Sequence, residues 1–279
     1  MTALSLVKYH GNGNDFLVSL DGDDLPGGAE VDADFVAEIC DRHRGVGADG
    51  LIAVRASSGV ADVRMELRNS DGKRAEMSGN GLRCLALALV DSGKVPGPDV
   101  VIETDAGLRH VVVGERRHDG CVSVTAEMGM LHVGPEEPAP LLGASFQARR
   151  VDVGNPHLVL IGPALDGLDI TRLGRELEGA RPGGQNVEVV APDSSGGLDL
   201  LVWERGSGVT EACGTGSCAA AAAARAAGLV GDHVPVENPG GTLVVDLDGE
   251  VLSPSARLTG PACRVASVEI IPSWTDVPG

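Results

Sequence analysis

The chain has 279 residues with 40 glycines, one Tyr, two Trp and three Phe, and its 22 Lys and Arg against 40 Asp and Glu leave a formal net charge of −18. Nucleic acids need basic grooves and stacking faces, so this composition excludes them as partners, together with anionic membranes and large polyanions. A 43% apolar content excludes an unfolded chain, the length suits one large or two medium domains, and the lack of a basic-then-apolar leader or a long apolar run predicts a cytoplasmic protein.

Residues 4–20 alternate imperfectly and predict a strand broken by a Gly-Asn turn. Residues 32–43 carry Phe35, Val36 and Ile39 at helical spacing behind an acidic start. Residues 62–68 alternate as a strand, and Asn69-Ser70-Asp71-Gly72 reads as a turn. An apolar helix over 82–92 stops at Gly93, and strands over 100–104, 108–113 and 121–126 close this half. The order then repeats: strand 150–161, helix 170–177, strands 186–190 and 198–204, helix 217–227 before Gly228, and strands 242–247, 252–258 and 262–271.

Short motifs repeat with the elements. Gly13-Asn14-Asp15-Phe16-Leu17-Val18 returns as Gly154-Asn155-Pro156-His157-Leu158-Val159, 141 residues later. Ser78-Gly79-Asn80-Gly81 before one apolar run is answered, 135 residues later, by Cys213-Gly214-Thr215-Gly216 before an alanine run. Two matches in one order at nearly one offset indicate two homologous halves. In each half a helix apolar nearly all round is surrounded by strands, and a helix without a polar face has to be buried. The expected fold is therefore α+β: two pseudo-symmetric domains, each a mixed sheet or barrel wrapped around a central helix. Residues 1–120 with 265–279 form the first half and 121–264 the second, with the active site expected in the cleft between them.

Both glycine-rich turns lead into the N-terminus of a buried helix, where free N–H groups and the helix dipole favour an anion. Cys213 at such a place is expected to have a thiol pKa lowered into a useful range for a base. The other cysteines, Cys40, Cys84, Cys121, Cys218 and Cys263, read as packing residues; a disulfide scaffold is not suggested, and no C-x-x-C or H-x-x-x-H spacing points to a metal. Only Lys8, Lys73 and Lys94 are available for Schiff-base chemistry.

The motifs that carry the chemistry are His10-Gly11-Asn12-Gly13-Asn14-Asp15-Phe16, Arg44-Gly45-Val46-Gly47-Ala48-Asp49-Gly50, Arg68-Asn69-Ser70-Asp71-Gly72 and Ser78 through Cys84 in the first half. The second half contributes Gly154-Asn155-Pro156-His157, Gln185-Asn186-Val187-Glu188, Glu204-Arg205-Gly206 and Ala212-Cys213-Gly214-Thr215-Gly216. Together, over nearly the full length, they resemble the diaminopimelate epimerases, which work without pyridoxal phosphate. The resemblance implies no cofactor, a homodimer, and a small zwitterionic substrate whose LL and meso forms are interconverted for lysine and peptidoglycan precursors. It also implies two acid–base groups on opposite faces of Cα. Cys213 is one of them. The reacting carboxylate is implied to lie against Gly79-Asn80 and Gly214-Thr215, and the distal end to be held by Asn14, Asn69, Asn155, Asn186, Glu204 and Arg205. His157 follows Gly-Asn-Pro and reads either as a group that tunes Cys213 or as a structural histidine; His10 and His43 read as structural.

The match breaks at Ser78, where the family pattern has its first catalytic cysteine. Forming an alkoxide in place of a thiolate costs on the order of 10 kcal/mol more, and a helix dipole returns only ~0.3–2 kcal/mol. Ser78 is suited to giving a proton and poorly suited to taking one. Four readings are open: an introduced substitution, a slow natural epimerase, a one-base relative such as a dehydratase or isomerase, or an amino-acid-binding protein.

Overall fold

The computed structural model of the protein describes residues 4–139 and 146–271. Contacts divide the chain into two compact units, Met1–Ala126 with Pro261–Gly279, and Glu127–Gly260.

The first unit opens with a hairpin, β1 (Leu4–Gly11) and β2 (Asn14–Ser19), turned by Asn12 and Gly13 at positive φ. Helix α1 (Ala33–Cys40) follows; the Asp32 carboxylate accepts from Phe35 N–H at its start, and Phe35, Val36 and Ile39 are buried. Next come β3 (Gly50–Arg55), β4 (Val63–Asn69), α2 (Gly79–Asp91), β5 (Asp99–Thr104), β6 (Gly107–Arg116) and β7 (Val122–Met130). The strands run in the order β1-β2-β3-β4-β5-β6-β7-β16, and β16 (Ser253–Ile270) pairs back onto β1, closing a barrel. Helix α2 fills it, with Gly79 through Leu89 all buried. Helix α1 packs outside, on β3 and β4.

The second unit repeats this plan. It contains β8 (His132–Pro138), β9 (Gln147–Asp152), β10 (Pro156–Ile161), α3 (Ile170–Glu178), β11 (Asn186–Pro192) and β12 (Leu198–Glu204). After these come β13 (Gly208–Val209), α4 (Gly214–Ala226), β14 (His233–Asn238) and β15 (Gly241–Glu250). The order is β16-β15-β14-β12-β11-β10-β9-β8. Leu131 N–H to Pro254 O and Val133 N–H to Leu252 O return the chain at the start of β8 to the start of β16. Helix α4, buried from Gly214 through Ala224, packs against β8 to β12, β14 and β15, while α3 lies on β11 and β12. The α+β fold of two similar strand-wrapped helices is thus present.

Four differences from the sequence reading have physical causes. Helices α2 and α4 begin at Gly79 and Gly214, three residues early, because the glycine motifs are their first turns. The segment 150–161 is two strands about a turn, and 252–271 is one long strand with a register shift opposite β1. Strand β3 escapes periodicity because both its faces are buried, and β8 and β14 carry Pro135 and Pro235, which read as breakers. Finally, Cys121 and Cys263, expected to be packing residues, form a disulfide: β7 and β16 are neighbours and bring together cysteines 142 residues apart. Cys40, Cys84, Cys213 and Cys218 are buried and form no disulfide. Among the described residues no helix is long and apolar enough to cross a membrane.

Candidate active site

Each central helix is capped by the side chain at the start of its glycine motif. Ser78, extended at φ −145° and ψ 120°, accepts Gly81 N–H on Oγ at 3.0 Å. Cys213, extended at φ −120° and ψ 115°, accepts Gly216 N–H on Sγ at 3.3 Å. A β-region cap that accepts from the third helical residue is the standard way to satisfy an orphan donor. The two positions are equivalent in local geometry and differ in the element they carry, oxygen or sulfur.

Around Ser78, the first unit brings together several of the residues singled out from the sequence. Asn80, buried, donates Nδ2–H to Asn14 Oδ1 at 3.0 Å, and Asn14 donates to Asp49 at 2.8 Å. Arg83 donates to Asn80 Oδ1 at 2.9 Å and, at 3.3 Å, to the carbonyl of Gly79. Asn69 ends β4 opposite Gly50, and its neighbour Ser70 donates its N–H to Asp49 O at 2.9 Å. Beneath them Asp15 lies 2.7 Å from both Lys8 and Arg42. Burial works to raise the Asp15 carboxyl, but the hydrogen bonds from Arg42 and Lys8 outweigh it and hold the group below the usual carboxylate range. Asp49 and Arg83 were not singled out for this role in the sequence; nothing in their spacing marks them.

In the second unit the cluster is tighter. Thr215 Oγ1 lies 3.5 Å from Cys213 Sγ and accepts from Asn155 Nδ2 at 3.5 Å. Asn155 Oδ1 meets His157 Nε2 at 2.9 Å, and His157 Nδ1 meets Glu188 Oε1 at 2.7 Å, with both side chains wholly buried. Asn186 Oδ1 accepts the backbone N–H of Arg205 at 2.8 Å, next to Glu204, which holds Thr210. Asn238 Oδ1 faces Cys213 N–H at 3.4 Å. The exposed side chain of Arg205 lies over Gly184 and donates to the Gly183 carbonyl at 3.3 Å. Glu188 and Asn238 were missed as site residues. A glutamate inside the apolar run Val187 to Val190 was a legible signal, because a charge is rarely buried without a task.

The thiol is shifted against expectation. Burial pushes Cys213 well above the ordinary thiol range, and the charges of Glu204 and Glu188 add to the rise; Thr215 and the Gly216 N–H oppose it and lose. Burial likewise raises Glu204, against hydrogen bonds from Thr210 and Cys213 that lower it. Both shifts favour the protonated forms, for Cys213 the thiol. An acid already loaded with its proton, beside a helix N-terminus that favours a carboxylate, is equipped for proton transfer next to an anion.

The profile of the family described as Diaminopimelate epimerase matches residues 6–132 and 149–265. The chain is 39% identical to the diaminopimelate epimerase of Prochlorococcus marinus (strain MIT 9313), covering 94% of this chain and 91% of that protein. It is 37% identical to that of Rhodococcus opacus (strain B4), covering 97% and 98%. Among solved structures it is similar to a Bacillus anthracis phenazine biosynthesis protein of the PhzF family, with a TM-score of 0.76, 18% identity, and coverage of 97% and 100%. A hydroxyproline epimerase from Agrobacterium vitis gives 0.70 at 21% identity, covering 96% and 92%. These two likenesses establish the fold, and the sequence matches establish more: the chain belongs to the diaminopimelate epimerase family.

Proposed function

We propose that this chain is an isomerase that interconverts LL- and meso-diaminopimelate by removing and returning the proton at one Cα, in the supply of lysine and peptidoglycan precursors. What carries the reading is the segment from Glu204 to Gly216, in which Glu204, Thr215 and Cys213 share one polar cluster at the buried N-terminus of α4. In this reading the Cys213 thiol is one acid–base group. The N-terminal amides at Gly214-Thr215 and Gly79-Asn80 suit a carboxylate whose negative charge grows as the carbanion forms. Asn14, Asn69, Asn155, Asn186, Glu204 and Arg205 are the proposed ligands of the remaining amino and carboxyl groups, and His157 tunes the thiol. Ser78 is the other acid–base group, able to give a proton far more easily than to take one. A zwitterionic small-molecule substrate, a homodimer, a cytoplasmic site of action and proton transfer without pyridoxal phosphate belong to the same proposal, with no nucleic acid or membrane as partner.

Incubation with LL-diaminopimelate in deuterated water tests it. Deuterium at Cα together with meso product is the expected result. Deuterium without meso product would mean one-base exchange and would overturn epimerisation.

A further inference from the structure

The strand registers align the two units residue by residue. Phe16 of β2 stands opposite Gly50 of β3, which stands opposite Asn69 of β4. His157 of β10 stands opposite Asn186 of β11, and the β11–β12 register, with Val187 opposite Trp203, brings Asn186 level with Glu204. Phe16 thus corresponds to His157, and Ile52 to Glu188. Leu17 and Leu51 join the cluster beneath α1, so by strand alternation Phe16 and Ile52 face the α2 side. Leu158 and Val187 join the cluster beneath α3, so His157 and Glu188 face the α4 side.

One unit therefore lines its central helix with two apolar side chains where the other uses a buried imidazole and carboxylate. The difference reaches the caps. A side chain begun at Gly81 would meet Ser78 at 3.1 Å and the Met65 methyl at 3.2 Å, whereas one begun at Gly216 would meet Cys213 Sγ at 3.2 Å and Glu188 Oε1 at 2.8 Å. Packing does not require the polar pair. Ionisable groups are costly to bury, and apolar residues of similar volume usually serve as well, as Phe16 and Ile52 do. Glu188 Oε2 is buried without a hydrogen-bond partner among the described residues, a further cost. A costly pair kept beside the single thiol of the acid–base machinery points to chemistry.

We propose that Glu188 is a positioning residue for Cys213: its Oε1 fixes the His157 ring, and Asn155 and Thr215 pass that order on to the thiol. The carboxylate also favours the thiol over the thiolate, adding to Glu204. The groups facing Cys213 are Glu188 from β11, Glu204 from β12, Thr215 from α4 and the neutral Asn238 from β14, with His157 from β10 joined to Thr215 through Asn155. Charged side chains on the remaining walls are engaged elsewhere: Arg149 on Gly134 and Glu136, Arg150 on Glu137 and Gln185, and Asp246 on His233. The inference rests on Cys213 being the acid–base group of the proposed reaction.

Three variants of the full chain test it: Glu188→Gln, Glu188→Asp, and the double variant His157→Phe with Glu188→Ile, which installs the first unit's own pair. Iodoacetamide labelling of Cys213, followed by peptide mass spectrometry across a pH series without substrate, is the first readout. The pH of half-reaction is expected to fall by about one unit in Glu188→Gln and in the double variant, and to stay near the wild-type value in Glu188→Asp. With LL-diaminopimelate in deuterated water, kcat for exchange is expected to drop about tenfold or more in the first and third, with KM little changed and partial rescue by Asp. The double variant is expected to melt no lower than wild type, which separates chemistry from folding. An unchanged labelling profile in Glu188→Gln and the double variant would overturn the proposal. If labelling shifts as expected while even the wild-type chain fails to exchange the Cα proton, the functional reading falls and the positioning role of Glu188 stands.

Discussion

At Cys213 two physical effects compete, and their magnitudes decide the winner. A helix N-terminus stabilises a thiolate by ~0.3–2 kcal/mol, whereas full burial can move a pKa by about 3–5 units, or ~4–7 kcal/mol, in the other direction. Burial wins, and the nearby carboxylates widen the margin. The sign fixes a pH prediction: with its pKa raised, Cys213 gains thiolate only as pH climbs, so its alkylation should rise about tenfold per pH unit from about pH 7 to 9 without levelling. A plateau below pH 8 would show a lowered pKa instead. Ser78 carries the complementary prediction. Its cap geometry matches that of Cys213, so Ser78→Cys should place a thiol on the same Gly81 N–H and speed meso formation by at least about a hundredfold, measured by isomer-resolved chromatography. No gain would mean that position 78 does not touch the reaction.

Among the elements, α2 and α4 are the ones that place chemistry, and their glycines are in the first turn because the cap side chain and a neighbouring strand crowd it. Gly216 leaves room for Glu188 Oε1, and Ala there would put a methyl 2.8 Å from that oxygen. Gly216→Ala should therefore cost about 1–3 kcal/mol in a urea melt and depress exchange. Gly81→Ala meets nothing nearer than 3.1 Å and should cost less, since Ala regains helix propensity. These helices were legible as buried because no polar face was available to water. Their exact starts were not, since a glycine-rich stretch reads as a turn until the cap bond is seen. Strand β3 was illegible for a related reason: buried on both faces, it shows no alternation.

For the whole molecule, duplication is the organising fact, and the disulfide is what duplication did not reveal. Cys121–Cys263 closes a long loop, so reducing it or replacing both cysteines with Ser should destabilise the chain by about 2–4 kcal/mol, read as a lower melting temperature. An unreduced digest should contain the linked Cys121 and Cys263 peptides. By itself the sequence determined the two-fold repeat, the buried central helices, the family and most of the polar residues around each cap, because these follow from local spacing and residue type. The tertiary structure alone decided that Cys121 meets Cys263, that the Arg205 guanidinium meets the Gly183 carbonyl, that Glu188 lies under Gly216, and that burial raises the thiol of Cys213. Each of those depends on which strands become neighbours and how completely water is excluded, and neither quantity is encoded in the spacing of residues along the chain.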